Sequence, residues 1–210
     1  MKFFYSPNSC AIGIHIILEE IGAEYEGVGI SLADKDQLRP EFQALNPKGK
    51  VPTLIRDDGS TLTEFQTIAF WLARMTPEAG LYPDGLEDQT RLMELLDFIV
   101  ASVHMRGFTF ISVAPKFTPN PEAQKDLQAH GRAQADLGFA RLAEILGDKD
   151  YLLGDFSLAD AALFYLTHWA LRADVPMPAA IAAHHNRMSD RPAVKRALAA
   201  EGMPELRAES

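Results

Sequence analysis

The stretch FYSPNSC at residues 4–10, running into AIGIHIILEEIG at 11–22, decides how this chain begins. Lys2-Phe3-Phe4-Tyr5 is aromatic-rich and closed by Ser6-Pro7-Asn8, the pattern of a short strand. Ile12, Ile16, Ile17 and Ile21 then recur at helical spacing until Gly22. Cys10, the one cysteine of the chain, therefore falls at a strand-to-helix junction. A helix N-terminus carries unpaired N–H groups and partial positive charge, which favour thiolate over thiol. The competing reading is a small buried hydrophobe, the commonest fate of a lone cysteine.

Outward from there, residues 25–30 read as a second strand, weakened by Gly27 and Gly29. Strand, helix and strand in this order suggest a right-handed βαβ unit. A short helix over 37–45 stops before Asn46-Pro47. Residues 51–56 and 60–63 then form a hairpin about Asp57-Asp58-Gly59, and 64–75 returns to helical spacing. The fold class of the first domain is α/β, in the order βαβα-ββα, over 1–80. The Pro- and Gly-rich stretch 76–86 is the boundary. Beyond it the pattern is all-α. A long amphipathic helix spans 87–113, a second 121–146 and a third 158–172, with shorter ones at 179–188 and 192–201. The second domain is set at 87–205.

Composition narrows the function classes. The net charge is -9 without a basic stripe, so a nucleic-acid partner is not expected. No apolar run approaches the ~20 residues of a membrane span. The start goes straight into a strand, so no signal peptide is expected. A single cysteine fits a reducing cytoplasm. Six histidines include neither HExxH nor a Cys-His spacing, so no metal is expected. There is no GxGxxG after the first strand and no P-loop.

Three further motifs each admit two readings. Val51-Pro52 heads a strand, either as an ordinary trans edge proline or as a cis turn that offers the Val51 backbone to an extended peptide. Glu64-Phe65-Gln66-Thr67 opens a helix, either as a dipole-favouring first turn or as a carboxylate-binding N-terminus. His104 is a lone helical histidine, structural by default. In FSLAD at 156–160, Ser157 is an N-cap with Asp160 reaching back, each expected to contribute about 1 kcal/mol.

These pieces together resemble a glutathione transferase over nearly the whole chain. FYSPNSC, NPKGKVPTL at 46–54, LTE at 62–64 before a helix and FSLADAALF at 156–164 carry the likeness. ELLDFIVASVH at 94–104 and RPAVKRALAAEG at 191–202 are most similar to the bacterial beta class. The resemblance implies an α/β thioredoxin-like N-terminal domain followed by an all-α helical C-terminal domain, in a cytoplasmic homodimer that binds glutathione as co-substrate and conjugates it to an apolar electrophile, with the helical domain contributing the electrophile site. It implies catalytic roles for Cys10, at the glutathione sulfur, and His104. Binding roles fall to Tyr5, Lys35, Val51 before a cis Pro52, Glu64 and Phe65, with Asp97 directed at the partner's site. Cys10 would also permit thiol exchange through a mixed disulfide. Phe65 stands where the family usually has serine, Asp97 for an asparagine, Ser102 for a glutamate, Met105 for a lysine and Ala11 for a serine. Those departures leave two alternatives: a non-catalytic binder on this fold, or a glutathione-dependent lyase or dehalogenase.

Overall fold

In the computed structural model, which describes residues 1–209, the opening aromatic run forms β1 (Lys2–Tyr5). It is followed by α1 (Ala11–Glu20) and β2 (Glu26–Gly29), parallel to β1. A 3₁₀ turn over Asp36–Leu38 precedes α2 (Pro40–Leu45). The hairpin strands are β3 (Thr53–Ile55) and β4 (Thr61–Thr63), and α3 (Phe65–Met75) closes the pattern. The sheet order is β2-β1-β3-β4, with β3 antiparallel to both neighbours. Side chains alternate across β1. Phe4 meets Phe42 of α2 edge-on, while Phe3 and Tyr5 face His15 of α1. Residues 11–18 of α1 are all buried, because α1 packs against α3 as well as α9 (Pro192–Ala200).

That packing moves one boundary. The sequence places 190–205 with the helices of the second domain, yet Asp190–Glu205 groups with Met1–Tyr82. The reason lies in α1. Arg191 pairs with Glu20 through Nε at 2.6 Å and Nη2 at 3.0 Å, and Arg196 Nε meets Glu19 at 2.6 Å.

The second unit comprises Pro83–Ser189 and the residues from Leu206 onward. Its long first helix departs from the expected form. It runs as α4 (Leu86–Asp97), an eleven-residue π-helical segment (Phe98–Phe108) and α5 (Thr109–Val113). The segment lies against α6 (Pro121–Leu146) at very close range. A Cβ on Gly131 would lie 2.7 Å from the Gly107 carbonyl oxygen, and one on Gly138 would lie 2.6 Å from Val103 Cγ2. Only glycine fits those approaches. By length and composition alone the continuous run Leu86–Lys116 would pass as a membrane span. Its Leu92, Leu96, Ile99 and Val103 are buried within the protein, as in the core helix of a packed unit.

The remaining helices are α7 (Leu158–Ala173) and α8 (Ala179–Asp190). Asn120 caps α6, its Oδ1 accepting from Glu122 N–H at 2.9 Å. At the head of α7 the Asp160 carboxylate accepts from the Ser157 N–H at 2.9 Å and the Ser157 hydroxyl at 3.0 Å. It also takes the Leu152 N–H and His184 Nε2, each at 2.9 Å. Ser157 at the N-cap with Asp160 reaching back is the arrangement the FSLAD motif predicts, but Asp160 serves more groups than a cap requires.

Candidate functional site

The first unit holds most of the predicted site residues. Cys10 sits at the head of α1, where Ser9 Oγ accepts the Ala11 N–H at 3.2 Å. The residue keeps partial exposure. Its thiol nevertheless departs from expectation, being pushed up to about 12. Burial is the main cause, and the carboxylates of Glu64 and Glu201 add to it, while a backbone hydrogen bond and Lys50 oppose it. The helix N-terminus does not win here, because desolvation of a thiolate outweighs a partial dipole charge. At neutral pH Cys10 is therefore an S–H group.

The Val51–Pro52 peptide bond is cis. Among the described residues no protein group pairs with the Val51 N–H or carbonyl, since the ladder of β3 begins only at Thr53. The loop before it is pinned by Asn46, a buried residue that the sequence pattern presents only as a helix stop. Asn46 Nδ2 donates to the Lys50 carbonyl at 2.9 Å and to Thr53 Oγ1 at 2.8 Å, and Asn46 Oδ1 accepts the Lys48 N–H at 3.1 Å. Asn46 lies inside the NPKGKVPTL motif, which is the signal that could have marked it.

Glu64 stands at φ 72°, ψ 132° immediately before α3, a costly backbone position for a residue with a Cβ. Its carboxylate receives Lys48 Nζ at 2.6 Å, and its carbonyl accepts the Ile68 N–H at 3.0 Å. Phe65, the first residue of α3, is buried. Lys35 is exposed and left-handed at φ 60°, leading into the 3₁₀ turn. The Tyr5 hydroxyl donates to the Ala200 carbonyl at 3.1 Å, and its pKa is raised by burial and by Glu201.

The second unit holds His104 and Asp97. His104 lies in the π-helical segment, with Nδ1 3.4 Å from the Tyr165 hydroxyl and its ring 4.8 Å from that of Trp169. Departures into π geometry recur at functional positions. Asp97 ends α4 and is exposed. The sequence also does not mark the buried Glu201, whose Oε1 meets His15 Nδ1 at 3.0 Å. Nothing local marks it, because its significance comes from α9 folding back on α1.

Known proteins share this fold. The family model for the glutathione S-transferase N-terminal domain matches residues 8–75, and that for the C-terminal domain matches 124–200. Glutathione S-transferase GstA of Escherichia coli O157:H7 is 36% identical, the match covering 97% of this chain and 100% of the relative. A sphingomonad glutathione S-transferase solved in complex with glutathione superposes with a TM-score of 0.85 at 33% identity, over 97% of this chain and 100% of that one. A bacterial beta class glutathione S-transferase from Sphingomonas chungbukensis gives 0.86 at 32%, with the same coverage.

Proposed function

Because the chain belongs to the glutathione S-transferase family, we propose that it joins the sulfur of glutathione to an electrophilic carbon of an apolar small molecule. The observation that carries this reading is Glu64, held at φ 72° at the head of α3. The γ-glutamyl end of glutathione is a zwitterion. It needs an acceptor for its ammonium and donors for its carboxylate at one point. The Glu64 carboxylate supplies the first, and the N-terminus of α3, from Phe65 on, supplies the second. The cysteinyl unit needs a backbone partner, and Val51 has an N–H and a carbonyl to give. Lys35 offers a cation for the glycine carboxylate. The residues present therefore fit the tripeptide in charge and in backbone chemistry.

Cys10 then acts through its proton. A thiol held up to about 12 donates a hydrogen bond and does not attack. Donation to the glutathione sulfur stabilises the thiolate there, and each unit of lowered thiol pKa corresponds to about 1.4 kcal/mol. The thiolate forms the C–S bond, the leaving group departs with its electron pair, and the thiol proton passes to solvent. Thiol exchange through Cys10 needs its thiolate and is the minor course. His104 is assigned to the electrophile's side of the reaction. The setting proposed is the cytoplasm.

Glu64→Ala tests the assignment. It should abolish retention on immobilised glutathione and raise KM for glutathione by at least an order of magnitude, the range for loss of a charge-assisted contact. Retention equal to wild type would remove Glu64 from the site. We also propose a homodimer, with Asp97 at the partner's site. Sedimentation should give twice the 23.2 kDa of one chain. A monomer at micromolar concentration would contradict both parts.

A further inference from the structure

His104 meets two aromatic side chains of α7, and one of them brings a hydroxyl. Neighbours along the π-helical segment face different helices. Val103 lies against Gly138 of α6, while His104 faces Tyr165 and Trp169 of α7. The His104 ring stands edge-on to both. Its centroid is 5.5 Å from that of Tyr165, at 72°, and 4.8 Å from that of Trp169, at 78°. Tyr165 and Trp169 are one helical turn apart and touch each other, their ring centroids separated by 4.9 Å. Aromatic contacts thus hold the imidazole against α7. Tyr165 is fully buried, whereas His104 is half-buried. A phenol at that depth needs a hydrogen-bond partner, and His104 Nδ1 lies 3.4 Å from its oxygen. The helix that carries Tyr165 is firmly seated, since α7 starts at the Asp160 cap and is buried from Leu158 through His168.

We propose that Tyr165 is a positioning residue for the transfer reaction: its hydroxyl donates to His104 Nδ1, keeps the single ring proton on Nε2 and so makes His104 an N–H donor toward the electrophile. This rests on the reading that assigns His104 to the electrophile's side. A phenol O–H is a good donor, and its oxygen, conjugated with the ring, is a poor acceptor. A bare imidazole nitrogen is a strong acceptor. The contact therefore favours O–H···N over N–H···O. The hydrogen bond made by one ring nitrogen sets which of the two carries the proton. With Nδ1 taken, the Nε2–H can stabilise negative charge that develops on the electrophile as the C–S bond forms. No proton is transferred in that role, and the ring stays neutral throughout. A separation of 3.4 Å is long for such a bond, as contacts at reaction sites often are before substrate binds.

The test joins a spectrum to kinetics, both on the full chain. Nitrogen-15 shifts of the imidazole rings report which nitrogen is protonated, and the His104 signals are identified by their loss in His104→Ala. Wild type should show His104 with a bare Nδ1 and a protonated Nε2. Tyr165→Phe keeps the ring and removes the hydroxyl. Its two His104 nitrogen shifts should move toward each other, as in a histidine that shares its proton between both. With glutathione and an activated chloroarene, Tyr165→Phe should lower kcat about tenfold, the size of one ordinary hydrogen bond, and leave KM for glutathione within about twofold. Added to His104→Ala, it should lower kcat no further. A wild type with the proton on Nδ1 overturns the proposal without any variant. So does a His104 spectrum unchanged by Tyr165→Phe, or an equal loss of kcat in the His104→Ala background. Wild-type activity in His104→Ala overturns it through the His104 assignment itself, and a responsive spectrum then shows that the pairing was not the part that failed.

Discussion

Asp160→Ala is expected to cost on the order of 4 kcal/mol, against about 1 kcal/mol for Ser157→Ala. The sequence motif predicts equal contributions, and the structure separates them. The Asp160 side chain is fully buried. It accepts the N–H groups of Leu152 and Ser157, the Ser157 hydroxyl and His184 Nε2. Truncation leaves all of these donors buried without an acceptor, and each such group costs about 1–3 kcal/mol. Folded domains have about 5–15 kcal/mol in total, so the variant should lose much of its helical unit at ordinary temperature. Asp160→Asn keeps one acceptor oxygen and should fall between the two. Urea midpoints followed by near-UV circular dichroism check the order. Equal shifts for Asp160→Ala and Ser157→Ala would mean that the Leu152 and His184 contacts contribute nothing.

The second large effect is acid lability of the same unit. His168 and His185 are both fully buried, and each is lowered to about 4. Burial is the main cause for both. His168 is lowered further by His185 and Arg172. His185 is lowered further by His184 and Arg207, while its bond to the Leu206 carbonyl works the other way. The folded values lie below the ordinary 6.5 of an unfolded histidine. The unfolded chain therefore takes up these protons first as pH falls. Stability from the neutral rings is complete above about pH 6.5 and declines through the window down to about pH 4. Each ring accounts for about 3 kcal/mol across that window. Denaturant midpoints should thus fall steeply between about pH 7 and about pH 4.5. His168→Phe should flatten the slope by about half, because neither His168 nitrogen has a partner to lose among the described residues. An unaltered slope in that variant would assign the acid sensitivity to other groups.

The contrast between Asp160 and Ser157 also shows what a sequence can reveal. The FSLAD cap is legible because a cap is local: Ser157 and Asp160 are three positions apart. The partners Leu152 and His184 are not legible, because they arrive through packing. The sheet is legible for the same local reasons, through aromatic alternation in β1 and the Asp57-Asp58-Gly59 turn. The π-helical segment around His104 is not. Its sequence has ordinary helical periodicity, and its geometry accompanies the close approach of α6 allowed by Gly131, Ala135 and Gly138. The same division runs through the site. Val51-Pro52 and Glu64 lie in contiguous motifs, so the sequence marks both positions while leaving each with two readings. The protonated state of Cys10 cannot, because the sequence shows the helix N-terminus that favours thiolate but neither the burial nor the Glu201 carboxylate that oppose it. Phe65 illustrates a further limit. The sequence places Glu64 directly before a helix that opens on Phe65, and the structure adds that Glu64 is held there at φ 72°.

The chain is expected to transfer the glutathione sulfur to carbon electrophiles with Cys10 as donor. The most direct measurement is mass spectrometry of the small-molecule products after wild type and Cys10→Ala are each incubated with glutathione and an activated chloroarene. Wild type should form a glutathione thioether well above the uncatalysed rate. Cys10→Ala should form it more slowly but still measurably, because the attacking sulfur belongs to glutathione. A wild-type rate equal to the uncatalysed one, across electrophiles of different size, would contradict this mechanism.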